Sequence, residues 1–130
     1  MPHLAVAQSY PTRPVNLVVF VPAGATPDIV ARLIGQSLSQ RIGQSIVIDN
    51  RPGAGNLALQ AVAHAPADGY TLLQVATTHA INVALYEKNT VTVTRDIVPI
   101  ASTNRDFFVL LVNPSFPAKT IAEFARNTMI

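Results

Sequence analysis

At 130 residues the chain has room for one ordinary domain and is too short for two. With 49% apolar and 12% charged residues, against roughly 25% charged in an average soluble protein, it has ample material for a core and little for a charged surface. The net charge is +2 with no basic run among aromatics, no apolar run reaches the roughly 18 residues of a membrane span, and there are no cysteines; this argues against nucleic acid, a spanning helix, disulfides and thiolate metal sites.

In chain order, Leu4-Ala5-Val6-Ala7 before Gln8-Ser9-Tyr10 has the form of the end of a secretory signal peptide, with Ala5-Val6-Ala7 as the small-x-small cleavage site. Residues 1–9 are expected to be a leader remnant, lacking the charged n-region and most of the apolar segment; a chance Ala-rich terminus is the alternative. Val15 to Val21 is a β-branched, proline-bounded run that predicts a buried strand. A small-residue loop, Pro22 to Pro27, follows. Thr26-Pro27-Asp28 then predicts a helix start, with Thr26 as N-cap, proline at the first helical position and an acid in the first turn. Ile29 with Leu33, and Val30 with Ile34 and Leu38, predict one apolar stripe; Arg32, Gln36 and Gln40 take other faces, and Gly43 ends the helix.

The theme repeats twice. Ser45–Asp49 reads as a strand, 50–55 as a loop and Asn56–Ala65 as a helix. After the Asp68-Gly69 turn, Thr71–Val75 reads as a strand, followed by a short helix through Tyr86. Strand and helix alternating at this spacing predict an α/β fold with a parallel sheet covered on both faces. Thr90–Thr94 is polar and β-branched, and Phe107 to Val112 is the most apolar run, which predicts a buried strand. Asn113 to Pro117 breaks it. Thr120 caps a helix that is expected to be cut short by the end of the chain.

Open parallel sheets bind ligands beyond the carboxyl ends of their strands. Three connections lie there, each feeding a helix N-terminus whose free N–H groups and dipole favour an anion. The candidate binding residues are Ala23, Gly24, Ala25, Thr26 and Asp28 in the first, Gly53, Ala54, Gly55 and Asn56 in the second, and Thr77, Thr78 and His79 in the third. Glycines admit close backbone approach and the threonine hydroxyls add donors. The alternative is that they only make turns and caps, with Asp28 simply an acid favoured by its helix dipole. Catalysis has little support. His3, His64 and His79 lack metal-ligand spacing, the aspartates are scattered, and there is neither G-x-G-x-x-G nor a P-loop lysine, so no cofactor is expected.

These same segments carry a family resemblance. Tyr10-Pro11-Thr12-Arg13-Pro14, Pro22-Ala23-Gly24 with Asp28, Asn50-Arg51-Pro52-Gly53-Ala54-Gly55, Asp68-Gly69-Tyr70-Thr71-Leu72-Leu73, and Asn113 to Thr120 resemble, in order, motifs of the Bug family. These are periplasmic solute-binding receptors of tripartite tricarboxylate transporters. The resemblance covers residues 10–124. It implies a type II-like Venus-flytrap fold whose first two loops hold a carboxylate, a periplasmic location and membrane transporter subunits as partners. The chain departs from the family pattern at Ala25, where a second glycine is usual, at Pro27, where Thr is more common, and by one glycine missing before Asn56. The tail from Ala125 to Ile130 no longer resembles the family.

On this reading residues 10–100 form the first lobe, 101–106 a crossover hinge and 107–130 the incomplete start of a second lobe. The expected function is binding of a small carboxylate solute for uptake. The alternative is a remnant that does not bind. Helix termini contribute about 0.3–2 kcal/mol each to an anion, so two or three give little more than the roughly 4 kcal/mol of a millimolar complex. Unpaired, residues 107–112 should either fold back on the first lobe or drive self-association.

Overall fold

The computed structural model describes residues 10–53, 56–85, 91–107 and 109–128. Residues 1–9, where a leader remnant is expected, and Ala54, Gly55 and Tyr86 lie outside the described residues. Three parallel strands, β1 (Val15–Val19), β2 (Ile46–Asn50) and β3 (Thr71–Gln74), form one sheet in the order β2-β1-β3. β2 pairs with the whole of β1 and β3 pairs with it from Asn16 on, so that Val19 faces Asn50 on one side and Gln74 on the other. The helices are α1 (Thr26–Ile42), α2 (Asn56–Ala63), α3 (Thr77–Leu85), the single turn α4 (Val93–Asp96) and α5 (Ile121–Thr128).

β1 is central because it is apolar on both faces, and the alternation of its side chains splits the core in two. Leu17 and Val19 pack with Ala31 of α1, and with Ile46, Ile48 and Leu72. Val18 and Phe20 pack on the opposite face with Ala58 of α2, and with Val62, Leu73 and Ala76. Burying each of these larger side chains stabilises the lobe by roughly 1.5–3 kcal/mol.

α1 departs from expectation twice. Its cap is Ala25, with no side-chain cap bond, and Thr26 is already helical. Its inward face is Asp28, Ala31 and Gly35, while Ile29 and Leu33 stay 51% and 65% exposed. Close approach explains the choice: a Cβ on Gly35 would stand 3.3 Å from Ile46 Cγ2, so only small residues fit between helix and sheet. The helix ends as expected at Gly43, in the left-handed conformation, whose N–H donates to Ser39 O.

At the amino ends of the strands a clasp ties residues 10–13 to the turn before β3. Tyr10 donates to Gly69 O at 2.6 Å, the Thr12 N–H donates to the Tyr70 hydroxyl at 2.9 Å, and Arg13 pairs with Asp68 while lying over the Tyr70 ring. Tyr10 meets Tyr70 edge-on. Asp68 and Gly69 make the expected turn, with Gly69 at φ 80° and the Tyr70 N–H bound to Asp68 Oδ1.

The expected strand at 107–112 is not formed. Phe107 and residues 109–112 carry no regular structure and are exposed, Phe107 and Leu111 by 86% and 84%. A strand needs a ladder partner, and the described sheet stops at three strands. Nor does this stretch fold back on the first lobe. Val109, Leu110 and Val112 instead line an open groove of about 300 Å³ with Ile121 and Phe124 of α5. The start of α5 is as expected: Thr120 Oγ1 accepts from the Glu123 N–H, and Glu123 reaches back to the Lys119 N–H.

Candidate functional site

Because all three strands are parallel, their carboxyl ends, and the connections that follow, share one edge of the sheet. The first connection turns at Gly24, φ 88°, where an added Cβ would meet nothing within 4 Å. Glycine is required there by conformation alone. Ala23, Gly24 and Thr26 are exposed and Ala25 is half-buried. The Ala25 N–H closes a turn on Pro22 O, and the first intrahelical bond runs from the Ile29 N–H to Ala25 O. The N–H groups of Thr26 and Asp28 therefore precede the helical ladder, and Pro27 has none.

Asp28 does not face the ligand edge. It is 1% exposed, and both carboxylate oxygens are engaged. Oδ2 accepts from the Gly24 N–H at 2.8 Å and from Arg32 Nε at 2.9 Å, and Oδ1 accepts from Asn50 Nδ2 at 2.8 Å. Asn50 also donates to Val21 O at 3.0 Å and accepts from Arg32 Nη2 at 3.2 Å. The Arg32 guanidinium first, then the Gly24 N–H and the Asn50 amide, hold the Asp28 carboxyl well below the usual carboxylate range.

The second connection leaves β2 through Arg51, whose N–H donates to Val19 O at 2.7 Å and whose Nε donates to Asp49 at 2.8 Å. Gly53 is constrained by its φ of 147°; a Cβ there would meet only the exposed Leu57 side chain, whose Cδ1 at 2.7 Å can swing aside. Ala54 and Gly55 lie outside the described residues. Asn56 opens α2, half-buried, with Asn82 Nδ2 at 3.5 Å from its Oδ1.

The third connection is only Val75-Ala76; Thr77 to His79 form the first turn of α3. Thr77 and Thr78 are exposed at the edge, whereas His79 turns inward, buried edge-on against Phe20 with ring centroids 4.8 Å apart. The Ala76 N–H donates to its Nδ1 at 3.2 Å. His79 braces this connection from below.

The edge thus gathers Ala23, Gly24, Ala25, Thr26, Gly53, Asn56, Thr77 and Thr78, and sets Asp28 and His79 beneath it. Among the described residues, the arginines near it are matched by acids, Arg32 by Asp28 and Arg51 by Asp49. What remains for an incoming anion is backbone N–H and hydroxyl. Sequence reasoning missed Asn50 and Arg32 as parts of the site. The i, i+4 spacing of Asp28 and Arg32 was a readable signal, while the Asn50 contact, made across the sheet, left none. It also missed Gln74, which register puts in one row with Val19 and Asn50, and whose buried Oε1 has no hydrogen-bond partner among the described residues.

A parallel sheet covered by helices in this way fits one lobe of a periplasmic binding-protein fold, and solved structures agree. MatC from Rhodopseudomonas palustris with bound malate superposes with a TM-score of 0.67 at 36% identity, covering 91% of this chain and 41% of that one. A periplasmic transporter structure gives 0.58 at 36% identity, covering 62% and 27%. Among curated relatives, a UPF0065 protein of Bordetella pertussis is 38% identical over 124 residues, 94% of this chain and 38% of that one. Protein BugT of the same organism is 35% identical over 111 residues, 83% and 34%. The chain spans about a third of the length of these two relatives. The model of the tripartite tricarboxylate transporter family receptor matches residues 30–129, and the chain belongs to that family. The match runs through the tail, so the expectation that family likeness ends before Ala125 is corrected.

Proposed function

We propose that this chain carries the first-lobe half of a binding site for a small carboxylate solute, in a periplasmic receptor that serves a tripartite tricarboxylate transporter. The observation that carries the reading is the edge itself. Two glycine-turned connections and the Thr77–Thr78 turn converge there, with the nearby cations already paired, so an anion meets N–H and hydroxyl donors. Membership of the receptor family and the malate held by MatC support the ligand class. Residues 10–100 act as the lobe, 101–106 as the hinge and 107–130 as the beginning of the second lobe. The transporter's membrane subunits are the partners, and the role is binding, without catalysis.

The test is titration of the chain with malate and citrate, followed by calorimetry and by backbone amide NMR. Binding is expected at millimolar concentration, in line with a few kcal/mol from helix termini. Amide shifts should be confined to 23–26, 53–56 and 77–78. Equal binding of the uncharged diamide of malate, or no shift at these amides, would overturn the reading. A second reading, a remnant of such a receptor that binds no solute and has no transport activity, is favoured by one observation, the apolar run left exposed at 107 and 109–112.

A further inference from the structure

We infer that Asp28 and Asn50 are positioning residues that hold the first and second connections in one register, so that both address the same carboxylate; this rests on the carboxylate-binding reading above. The first connection is held at two backbone points. The Gly24 N–H donates to Asp28 Oδ2 and Val21 O accepts from Asn50 Nδ2. The second connection starts at Asn50 itself, the last residue of β2, and Arg51 is tied back to Val19 O. The Asn50 Nδ2 to Asp28 Oδ1 bond joins the two, and Arg32 closes the triangle by donating to both.

Each partner is chemically specific. The carboxylate accepts three hydrogen bonds on its two oxygens, and the amide of Asn50 donates to Asp28 and Val21 while accepting from Arg32. Asp28→Asn keeps an oxygen for Gly24 and Arg32, but turns an NH₂ group toward the Asn50 NH₂. It therefore breaks the direct Asp28–Asn50 bond while leaving the turn at Gly24 satisfied and Asn50 still tied to Val21 O. In the buried setting of Asp28, that donor–donor conflict cannot be relieved by water.

The experiment is malate titration of the full chain followed by amide NMR, comparing wild type, Asp28→Asn and a control, Val18→Ala, which weakens the core away from the edge. In wild type the amides of Gly24 and Thr26 should move with the same midpoint as those of Gly53 and Asn56. In Asp28→Asn the two sets should separate, the tighter set weakening by about tenfold or more. Val18→Ala should lose stability yet keep a single midpoint, and a merely structural Asp28 would make Asp28→Asn behave the same way. If Asp28→Asn lacks a native spectrum, Asn50→Ser, which leaves Asp28 with Gly24 and Arg32, is read in the same way. A single unshifted midpoint in the folded variant overturns the inference and leaves carboxylate binding standing. A wild type without shifts in either connection overturns both.

Discussion

Residues 107–112 should make this chain associate with itself, and the size of the effect follows from exposure. Phe107, Val109, Leu110 and Leu111 keep most of their surface in water, and Val112 keeps 41%. At roughly 1.5–3 kcal/mol for complete burial of one such side chain, covering this stretch is worth on the order of 5–10 kcal/mol per chain. Two chains pairing there gain about twice that, against about 4–15 kcal/mol of lost translational, rotational and side-chain freedom. A surplus of about 4–8 kcal/mol, the middle of that difference, corresponds to association between about millimolar and micromolar concentration. Light scattering across that range should therefore show the mean mass of wild type rising. Leu110→Ser with Leu111→Ser removes about 3–6 kcal/mol per chain from the gain and should hold the protein monomeric. A wild type that stays monomeric throughout, with amides 107–112 exchanging as freely as in an unfolded peptide, would refute the reasoning from uncovered apolar surface.

Other outcomes follow from the lobe. Gly24→Ala should lower stability by about 1 kcal/mol, the left-handed penalty alone, because its Cβ meets no atom within 4 Å. Gly53→Ala, at φ 147°, should also lose about 1–2 kcal/mol through backbone conformation, the exposed end of the Leu57 side chain swinging aside at little cost; a variant as stable as wild type would contradict this. Val18→Ala, emptying a fully buried site on β1, should lose about 2 kcal/mol by denaturant titration. The Asp28 carboxyl is held below its ordinary range in the folded state, so its stabilisation is complete above about pH 4 and drains away as pH falls toward the depressed value. Urea midpoints between about pH 2 and 6 should fall with acid in wild type and less steeply in Asp28→Asn; parallel curves would remove Asp28 from the acid response.

The strands were legible because β1 is β-branched, apolar on both faces and bounded by prolines, a pattern with few other solutions in so short a chain. The shared edge was legible too, since strand–loop–helix order repeated three times leaves the connections no other place in a parallel sheet. The buried face of α1 was not. Periodicity picked out Ile29 and Leu33 by their hydrophobicity, whereas the sheet selected Asp28, Ala31 and Gly35 by their size. His79 was read as an edge residue because its ring direction depends on Phe20, nearly sixty residues earlier. The strand expected at 107–112 shows the complementary limit: apolarity reports what a segment could bury, and pairing requires a neighbour the segment cannot supply.

The clasp of Tyr10, Thr12 and Arg13 on Asp68, Gly69 and Tyr70 gives the molecule a built-in handle. It sits at the amino ends of the strands, so the five-residue span of β1, about 16 Å of chain, separates it from the connections that face a solute. Anything joined upstream of Tyr10, such as an affinity tag, a fluorophore or a tether to a sensor chip, is thereby held on the far side of the sheet, and the opposite edge stays turned toward the solution. Immobilised through that end, the lobe would present its donors outward without further engineering.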